Sequence, residues 1–169
     1  MNNFIKRTIS GVVFAVIMLA AFLTNKYVYG AVMLFSLVVM IKEFLTITCG
    51  KDYRYSQILT IFSGAVLFTL LYLYKACNFP GRLVILAFVP VFILMINSLY
   101  LKDKSRFDKF ANLYAALLYI AVPWSLLNFA VFNAAGEFNG ILLLCFFCII
   151  WGTDVGAYLF GITLGQKYG

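Results

Sequence analysis

The hydrophobic residues of this chain come in six long blocks, separated by short polar or charged breaks. A helix needs about 20 apolar residues to cross a bilayer, and several of the blocks are only slightly shorter. Blocks of this length favour helices over the short alternating strands of an outer-membrane barrel. The pattern therefore predicts an all-α fold, a polytopic transmembrane helix bundle of about six spans. The predicted spans are 9–24, 27–41, 58–74, 83–101, 110–132 and 140–164.

The connections between the blocks indicate one continuous membrane domain. Only Asn25 and Lys26 separate the first two blocks, so these two helices should form a tight antiparallel hairpin. The first block follows Lys6 and Arg7, as in a signal peptide, but no small-residue cleavage site follows it and five more spans do. We therefore interpret it as a retained anchor and treat residues 1–169 as a single transmembrane domain.

Composition and charge support this class and give it an orientation. Hydrophobic residues make up 64% of the chain and charged residues 11%, with a mean hydropathy of +1.00, which excludes a water-soluble domain. Because Lys and Arg prefer the cytoplasmic side, a cytoplasmic N-terminus places ten of the thirteen basic residues inside. The net charge of +7 thus indicates contact with an anionic membrane surface, and not with nucleic acid. The three basic residues left outside are Lys26, Lys75 and Arg82.

Asp154 is an ionisable residue inside the apolar sixth block, and such residues usually have a function or a charged partner. In the predicted topology the sixth span runs inward, so Asp154 falls in its cytoplasmic half, where a water-soluble ligand can reach it. Helical spacing puts Asp154, Tyr158, Gly161 and Gly165 on one face. Glycines beside a carboxylate leave room for a ligand and its metal ion. The alternative is a structural carboxylate paired with a lysine or a helix end.

Two glycine pairs in the same block have the spacing of helix-packing motifs. Gly152 and Gly156 lie on the face opposite Asp154, and Gly161 and Gly165 repeat the spacing on the face that carries it. Such pairs are common in membrane helices, and packing alone explains most single glycines of this kind. A homodimer through these faces is one arrangement that they allow.

Four segments of the chain resemble one enzyme family. DVGAYLFG, followed by Gly165 and Lys167, resembles the Asp-x-Gly-Ala-Tyr-x-x-Gly-x-x-x-Gly-Lys segment of bacterial phosphatidate cytidylyltransferases, the CDP-diacylglycerol synthases. The N-terminal KRTISGVVFA is similar to the basic, small-residue start of that family's first span. IKEFLTI, with Glu43, resembles the acidic residue that ends the second span, and VPWSLL resembles a proline-containing span of the family.

The chain also departs from the family pattern. The family continues through a Ser-Pro-x-Lys-(Ser/Thr) stretch and a C-terminal motif with His-Gly-Gly, and this chain contains neither these segments nor any histidine. Where the family often has Lys directly after the second glycine, this chain has Gln166 and then Lys167. We therefore expect a fragment that ends before the C-terminal catalytic segment and that is inactive alone.

The resemblance implies transfer of a cytidylyl group from CTP to phosphatidic acid, giving CDP-diacylglycerol and pyrophosphate for phospholipid biosynthesis in a bacterial inner membrane. It implies Mg²⁺ as cofactor, a type of ion commonly held by one or two carboxylates and substrate phosphates. Asp154 would be the catalytic metal ligand, Tyr158 would shape the pocket, Gly161 and Gly165 would give the phosphates access, and Lys167 would balance their charge. The partners would be CTP, phosphatidic acid and the bilayer.

Other interpretations stay open at this point. In a small transporter component Asp154 would be a proton or cation site, although no inverted repeat is visible. A noncatalytic scaffold would use only the glycine faces, and a CTP-dependent polyprenol or phytol kinase would accept a lipid alcohol instead of a lipid phosphate. Glu43, beside Lys42, is more typical of an interfacial charge and is a secondary candidate. Cys145 and Cys148 form a C-x-x-C without histidine in an apolar run, so they do not indicate a zinc or redox site.

Overall fold

The computed structural model describes the backbone of residues 3–100 and 107–168, and the side chains of 9, 11–100, 109–157, 160 and 161. These residues form helices joined by short turns; within them there is no strand, only an isolated antiparallel bridge between Phe132 and Phe138. The predicted all-α bundle is confirmed. The helices are α1 (Asn3–Leu23), α2 (Lys26–Cys49), α3 (Arg54–Ala76), α4 (Phe88–Leu99), α5 (Phe107–Ala116), α6 (Val122–Leu126), α7 (Asn128–Val131) and α8 (Ile141–Tyr168).

The helical segments correspond to the six apolar blocks. Among the described residues, four segments are long and apolar enough to cross a bilayer, and two shorter apolar stretches lie in α1 and α8. The protein is therefore a membrane protein, while the cytoplasmic position of its N-terminus stays a prediction. The four long segments are Lys26–Cys49, Arg54–Ala76, Gly81–Leu99 and Lys109–Val131; the two shorter ones are Gly11–Leu23 and Ile141–Ala157.

The turn between α1 and α2 has the tight form that the sequence predicts. Asn25 caps α2: its side-chain oxygen accepts hydrogen bonds from the backbone N–H groups of Tyr27 and Val28, both at 3.0 Å. These N–H groups have no partner within the first turn of a helix, so the cap stabilises the start of α2 directly after α1 ends.

The second helix is longer than the sequence pattern predicts. We expected the span to end at residue 41, but α2 continues to Cys49 and carries Lys42 and Glu43 on its exposed side. The helix ends where Gly50 takes a φ of 62°, a conformation that glycine adopts without steric cost. A charge on an exposed helix face therefore does not end the helix, and Glu43 does not mark its end.

The fifth apolar block crosses the bundle as one segment, but this segment is not one regular helix. A π-helical turn, Leu117–Ala121, separates α5 from α6, and Pro123 stands in the first turn of α6. Proline has no N–H to donate to the carbonyl one turn earlier, which disturbs the regular ladder at this point. The segment then ends in α7 and a loop, where the side-chain oxygen of Asn133 accepts hydrogen bonds from the N–H groups of Ala135 and Glu137.

Helix α2 lies at the centre of the bundle and packs against α1, α3 and α5. Its buried residues recur every four positions, so one stripe of the helix faces the core. Trp124 of α6 ties this helix to the fifth block, because its indole N–H donates to the backbone oxygen of Met33. The buried stripe includes Tyr29, Met33, Leu37, Ile41, Leu45 and Cys49. Helix α8 lies at the edge, against α1 and α7.

Candidate functional site

The start of α8 is fixed by one hydrogen bond and one close backbone approach. The side-chain oxygen of Asn139 accepts from the N–H of Ile141 at 3.0 Å and so caps the helix. Gly140, immediately before α8, lies so close to the backbone of Phe22 in α1 that a Cβ atom would overlap the carbonyl group. The absence of a side chain at Gly140 therefore allows the start of α8 to meet the end of α1.

Aromatic contacts set the register of α8 against α1. The ring of Phe147 lies 5.8 Å from that of Phe22 and 6.1 Å from that of Phe14, measured between centroids. Since Gly140 meets Phe22 and the later Phe147 also reaches the earlier Phe14, the two helices are antiparallel. Continuing this register places Asp154 level with the N-terminal part of α1. Asp154 thus lies toward the end of the bundle at which the chain starts.

From Trp151 onward, the described side chains of α8 are mostly exposed on the surface of the bundle. The side chain of Asp154 is among them, and it has no ion-pair or hydrogen-bond partner among the residues that the structure describes. A carboxylate at the centre of a bilayer costs about 2.5–3.5 kcal/mol on insertion scales. Asp154 therefore needs water, a cation, a lipid headgroup or further protein beside it.

The predicted face around Asp154 is only partly described. Helix α8 continues without interruption to Tyr168, so Asp154 and Gly161 lie two turns apart on one face, and Gly161 has no atom within 4 Å of where a Cβ would stand. As far as the described residues go, the space beside Asp154 is thus open at Gly161. The side chains of Tyr158 and Lys167 and the surroundings of Gly165 lie outside the described residues.

No described residue packs closely on the opposite glycine face. At Gly152 and at Gly156 no atom lies within 4 Å of where a Cβ would stand. These two residues therefore make no close helix contact within the described part of this single chain. Their role as a surface for a second copy stays a prediction.

The secondary candidate, Glu43, is not brought into the α8 surface. It lies exposed on α2, whereas the main contacts of α8 are with α1 and α7. Glu43 is therefore apart from the other predicted site residues, which all belong to α8.

Mg²⁺ prefers oxygen ligands such as carboxylates. No group of three or more His, Cys, Asp or Glu side chains converges within the described ranges. Mg²⁺ does not require such a group, because it is commonly held by one or two carboxylates, substrate phosphates and water. The exposed carboxylate of Asp154, with open space at Gly161, fits one ligand position of such an ion.

A sequence model of the cytidylyltransferase family matches residues 5–168, almost the whole chain. This protein belongs to the cytidylyltransferase family. The predicted relationship is confirmed, and the family supports a CTP-dependent transferase of the nucleotidyltransferase kind. The match includes both α1 and α8, so it covers the exposed surface that carries Asp154.

The other two comparisons identify no related protein. No curated protein gives a significant match to the chain, and no solved structure does.

Sequence reasoning about this cytidylyltransferase-family protein missed a group of buried polar residues. Tyr29, Ser125 and Asn128 are fully buried, and the Tyr29 hydroxyl, the Ser125 hydroxyl and the Asn128 side-chain oxygen have no hydrogen-bond partner among the described residues. Buried polar atoms normally have partners, so these three positions are unusual. They lie on α2, α6 and α7, away from the exposed surface of α8. The only sequence signal was a serine and an asparagine inside an apolar block.

Proposed function

We propose that this protein takes part in transferring the cytidylyl group of CTP to the phosphate of phosphatidic acid, giving CDP-diacylglycerol and pyrophosphate. The observation that carries the proposal is the family match over residues 5–168 in a bundle of apolar helices. A membrane-embedded nucleotidyltransferase is suited to an acceptor that is itself held in the bilayer. Phosphatidic acid is such an acceptor and offers a nucleophilic phosphate.

The position of Asp154 supports a site open to water-soluble CTP. The carboxylate is exposed on α8 and lies toward the end of the bundle where α1 begins. The turn between α2 and α3, with Lys51 and Arg54, is at this same end because the connected helices alternate in direction. Basic residues there attract both anionic lipid and nucleotide phosphates.

Each predicted residue has a role that its chemistry allows. Asp154 would hold Mg²⁺, which would neutralise charge on the phosphates and help to orient them. Gly161 and Gly165 would leave room for the phosphates, Tyr158 would border the space, and Lys167 would offer a positive charge. Phosphoryl-type transfers depend mainly on positioning and on charge stabilisation, so no covalent nucleophile of the protein is required.

We further propose that the protein resides in a bacterial inner membrane with its N-terminus in the cytoplasm. In this orientation, the exposed carboxylate of Asp154 is near the inner leaflet, on the side where CTP is available. A second copy bound through the glycine faces of α8 would cover Gly152 and Gly156, which have no close neighbour among the described residues.

The test is a CTP-dependent assay in membranes that contain the gene's full product. Labelled CTP and phosphatidic acid are supplied with Mg²⁺, and the formation of CDP-diacylglycerol is measured. We expect Asp154→Asn to abolish product formation because the amide removes the negative charge while it keeps the side-chain size. Glu137→Gln, the same chemical change in the exposed loop before α8, serves as the control and should keep wild-type turnover.

The outcomes separate the candidate functions. Ordinary turnover by Asp154→Asn, with normal membrane insertion, would remove Asp154 from the mechanism. Transfer from CTP to a polyprenol or phytol, with none to phosphatidic acid, would favour the lipid-kinase alternative. Absence of any CTP-dependent transfer by the wild-type protein, together with normal insertion, would contradict the proposed function.

A further inference from the structure

A cavity opens on the side of the bundle, between α3, α4 and the π-helical turn. Its volume is about 240 Å³. Ser63, Ala87 and Leu117 are buried at its floor, and Phe88, Leu118 and Val122 are exposed at its rim. We call this space the side cavity. It is formed by helices other than α8 and is therefore separate from the surface around Asp154.

The side cavity follows from small side chains and from the irregular fifth block. Ser63 in α3 and Ala87, directly before α4, fill little of the space between these helices. The π-helical turn Leu117–Ala121 lies directly opposite, with the Cβ of Ala121 only 3.3 Å from where a Cβ of Gly64 would stand. Helix α3 and the π-helical turn are thus in close contact at Gly64 and move apart beside it.

The depth of the side cavity decides which molecules can reach it. Ser63 lies near the middle of α3, and Leu117 lies well inside the Lys109–Val131 segment, so both are far from the ends of their spans. At this depth a bilayer consists of hydrocarbon chains. The rim side chains Phe88, Leu118 and Val122 face outward from the bundle, so the cavity opens toward these chains.

The lining of the side cavity excludes polar occupants. Ser63 and Tyr114 are the only lining residues with hydroxyl groups, and the Ser63 hydroxyl already donates to the backbone oxygen of Leu59 at 2.7 Å. An internal water needs two to four polar partners, and apolar cavities of this size stay dry and take apolar guests. The remaining lining is aliphatic and aromatic.

We propose that the side cavity binds one acyl chain of a bilayer phospholipid, and that it selects the chain and not the headgroup. Because lipid tails are as apolar as the cavity lining, the hydrophobic effect contributes little to this binding. The acyl chain gains dispersion contacts with α3, α4 and the π-helical turn, which an empty cavity would lose. The bound lipid stabilises the packing of the fifth block against α3 and does not take part in the transfer reaction.

The experiment uses phospholipids with a photoreactive diazirine in the middle of one acyl chain. The protein is reconstituted into nanodiscs with such a phosphatidylcholine or such a phosphatidic acid, illuminated, and digested for mass spectrometry. We expect crosslinks concentrated on Val91, Leu118 and Val122, to a similar extent with both headgroups. Ser63→Met, which extends an unbranched side chain into the side cavity, should lower this labelling several-fold.

A matched pair of substitutions at the surface tests the location. Leu118→Trp covers the rim and should also lower labelling at Val91 several-fold. Leu126 is exposed in the same apolar block but does not line the cavity, so Leu126→Trp should leave labelling at Val91 unchanged. Both substitutions are at exposed positions and should preserve folding, which circular dichroism verifies. Labelling spread evenly over all exposed helix faces, or unchanged by both Ser63→Met and Leu118→Trp, would overturn the proposal. Labelling by phosphatidic acid alone would contradict the selection of the chain.

Discussion

The indole N–H of Trp124 donates a hydrogen bond of 2.9 Å to the backbone oxygen of Met33. This bond joins α6 to the central helix α2 across 91 positions of the sequence. It lies directly after Pro123, where the proline and the π-helical turn have disturbed the regular backbone ladder. A side-chain bond thus fixes the irregular part of the fifth block to the core.

Trp124→Phe should destabilise the protein by about 0.5–1.5 kcal/mol, because phenylalanine keeps an aromatic ring and loses the donor. Thermal unfolding in nanodiscs measures the effect. Trp151→Phe is the control, since the Trp151 indole N–H has no hydrogen-bond partner among the described residues, and it should change stability by less than about 0.5 kcal/mol. Equal effects of the two substitutions would show that the bond to Met33 contributes no net stability.

Gly140→Ala should lower the stability of the folded protein, because the added Cβ overlaps the backbone of Phe22 and α1 must move away from α8. Overpacking of this kind costs about 1–3 kcal/mol. Gly152→Ala is the control: it lies inside α8, where no described atom would meet the added Cβ, and it should be neutral or stabilising by up to about 1 kcal/mol. Unfolding midpoints in nanodiscs report both. An unchanged unfolding midpoint for Gly140→Ala would contradict the close approach of α1 and α8.

The ion pair between Lys109 and Asp52, at 3.0 Å, should contribute only weakly to stability. The two side chains are 34% and 29% exposed, so water and salt screen their attraction. A double-mutant cycle with Lys109→Met and Asp52→Asn should give a coupling of about 0.2–1 kcal/mol. The coupling should fall further at high salt. A coupling that salt leaves unchanged would mean that the pair is more buried in the membrane-embedded protein than in this structure.

The exposed Cys77 gives a direct test of the predicted topology. It follows α3, at the end of the bundle that we expect outside, whereas the natural Cys49 at the other end is buried. A membrane-impermeant maleimide should therefore label Cys77 in spheroplasts without permeabilisation. Lys51→Cys in a Cys77→Ser background is the control and should react only after permeabilisation. The reverse result would place the N-terminus outside and would move Asp154 to the outer leaflet.

Parts of the site were readable from the sequence because they depend on local spacing. The motif from Asp154 to Gly161 lies in one helix, and the helical period alone puts both residues on one face. What the structure adds is the surroundings. Asp154 is exposed, Glu43 is on another helix, and Gly152 and Gly156 have no neighbour within the described chain. Apolar residues are spread around all sides of α8, so its sequence could not indicate which face is covered.

The six helical segments and the membrane class were determined by the sequence alone, because the length and composition of an apolar run decide whether a helix is stable in a bilayer. The tertiary structure decided the rest. It extends α2 past Lys42 to Gly50 and breaks the fifth block near Pro123. It also brings Gly140 against Phe22, where α8 begins to run antiparallel to α1. These features depend on which surfaces meet in space. In an apolar helix every face is equally suited to lipid, so only packing against specific neighbours selects one.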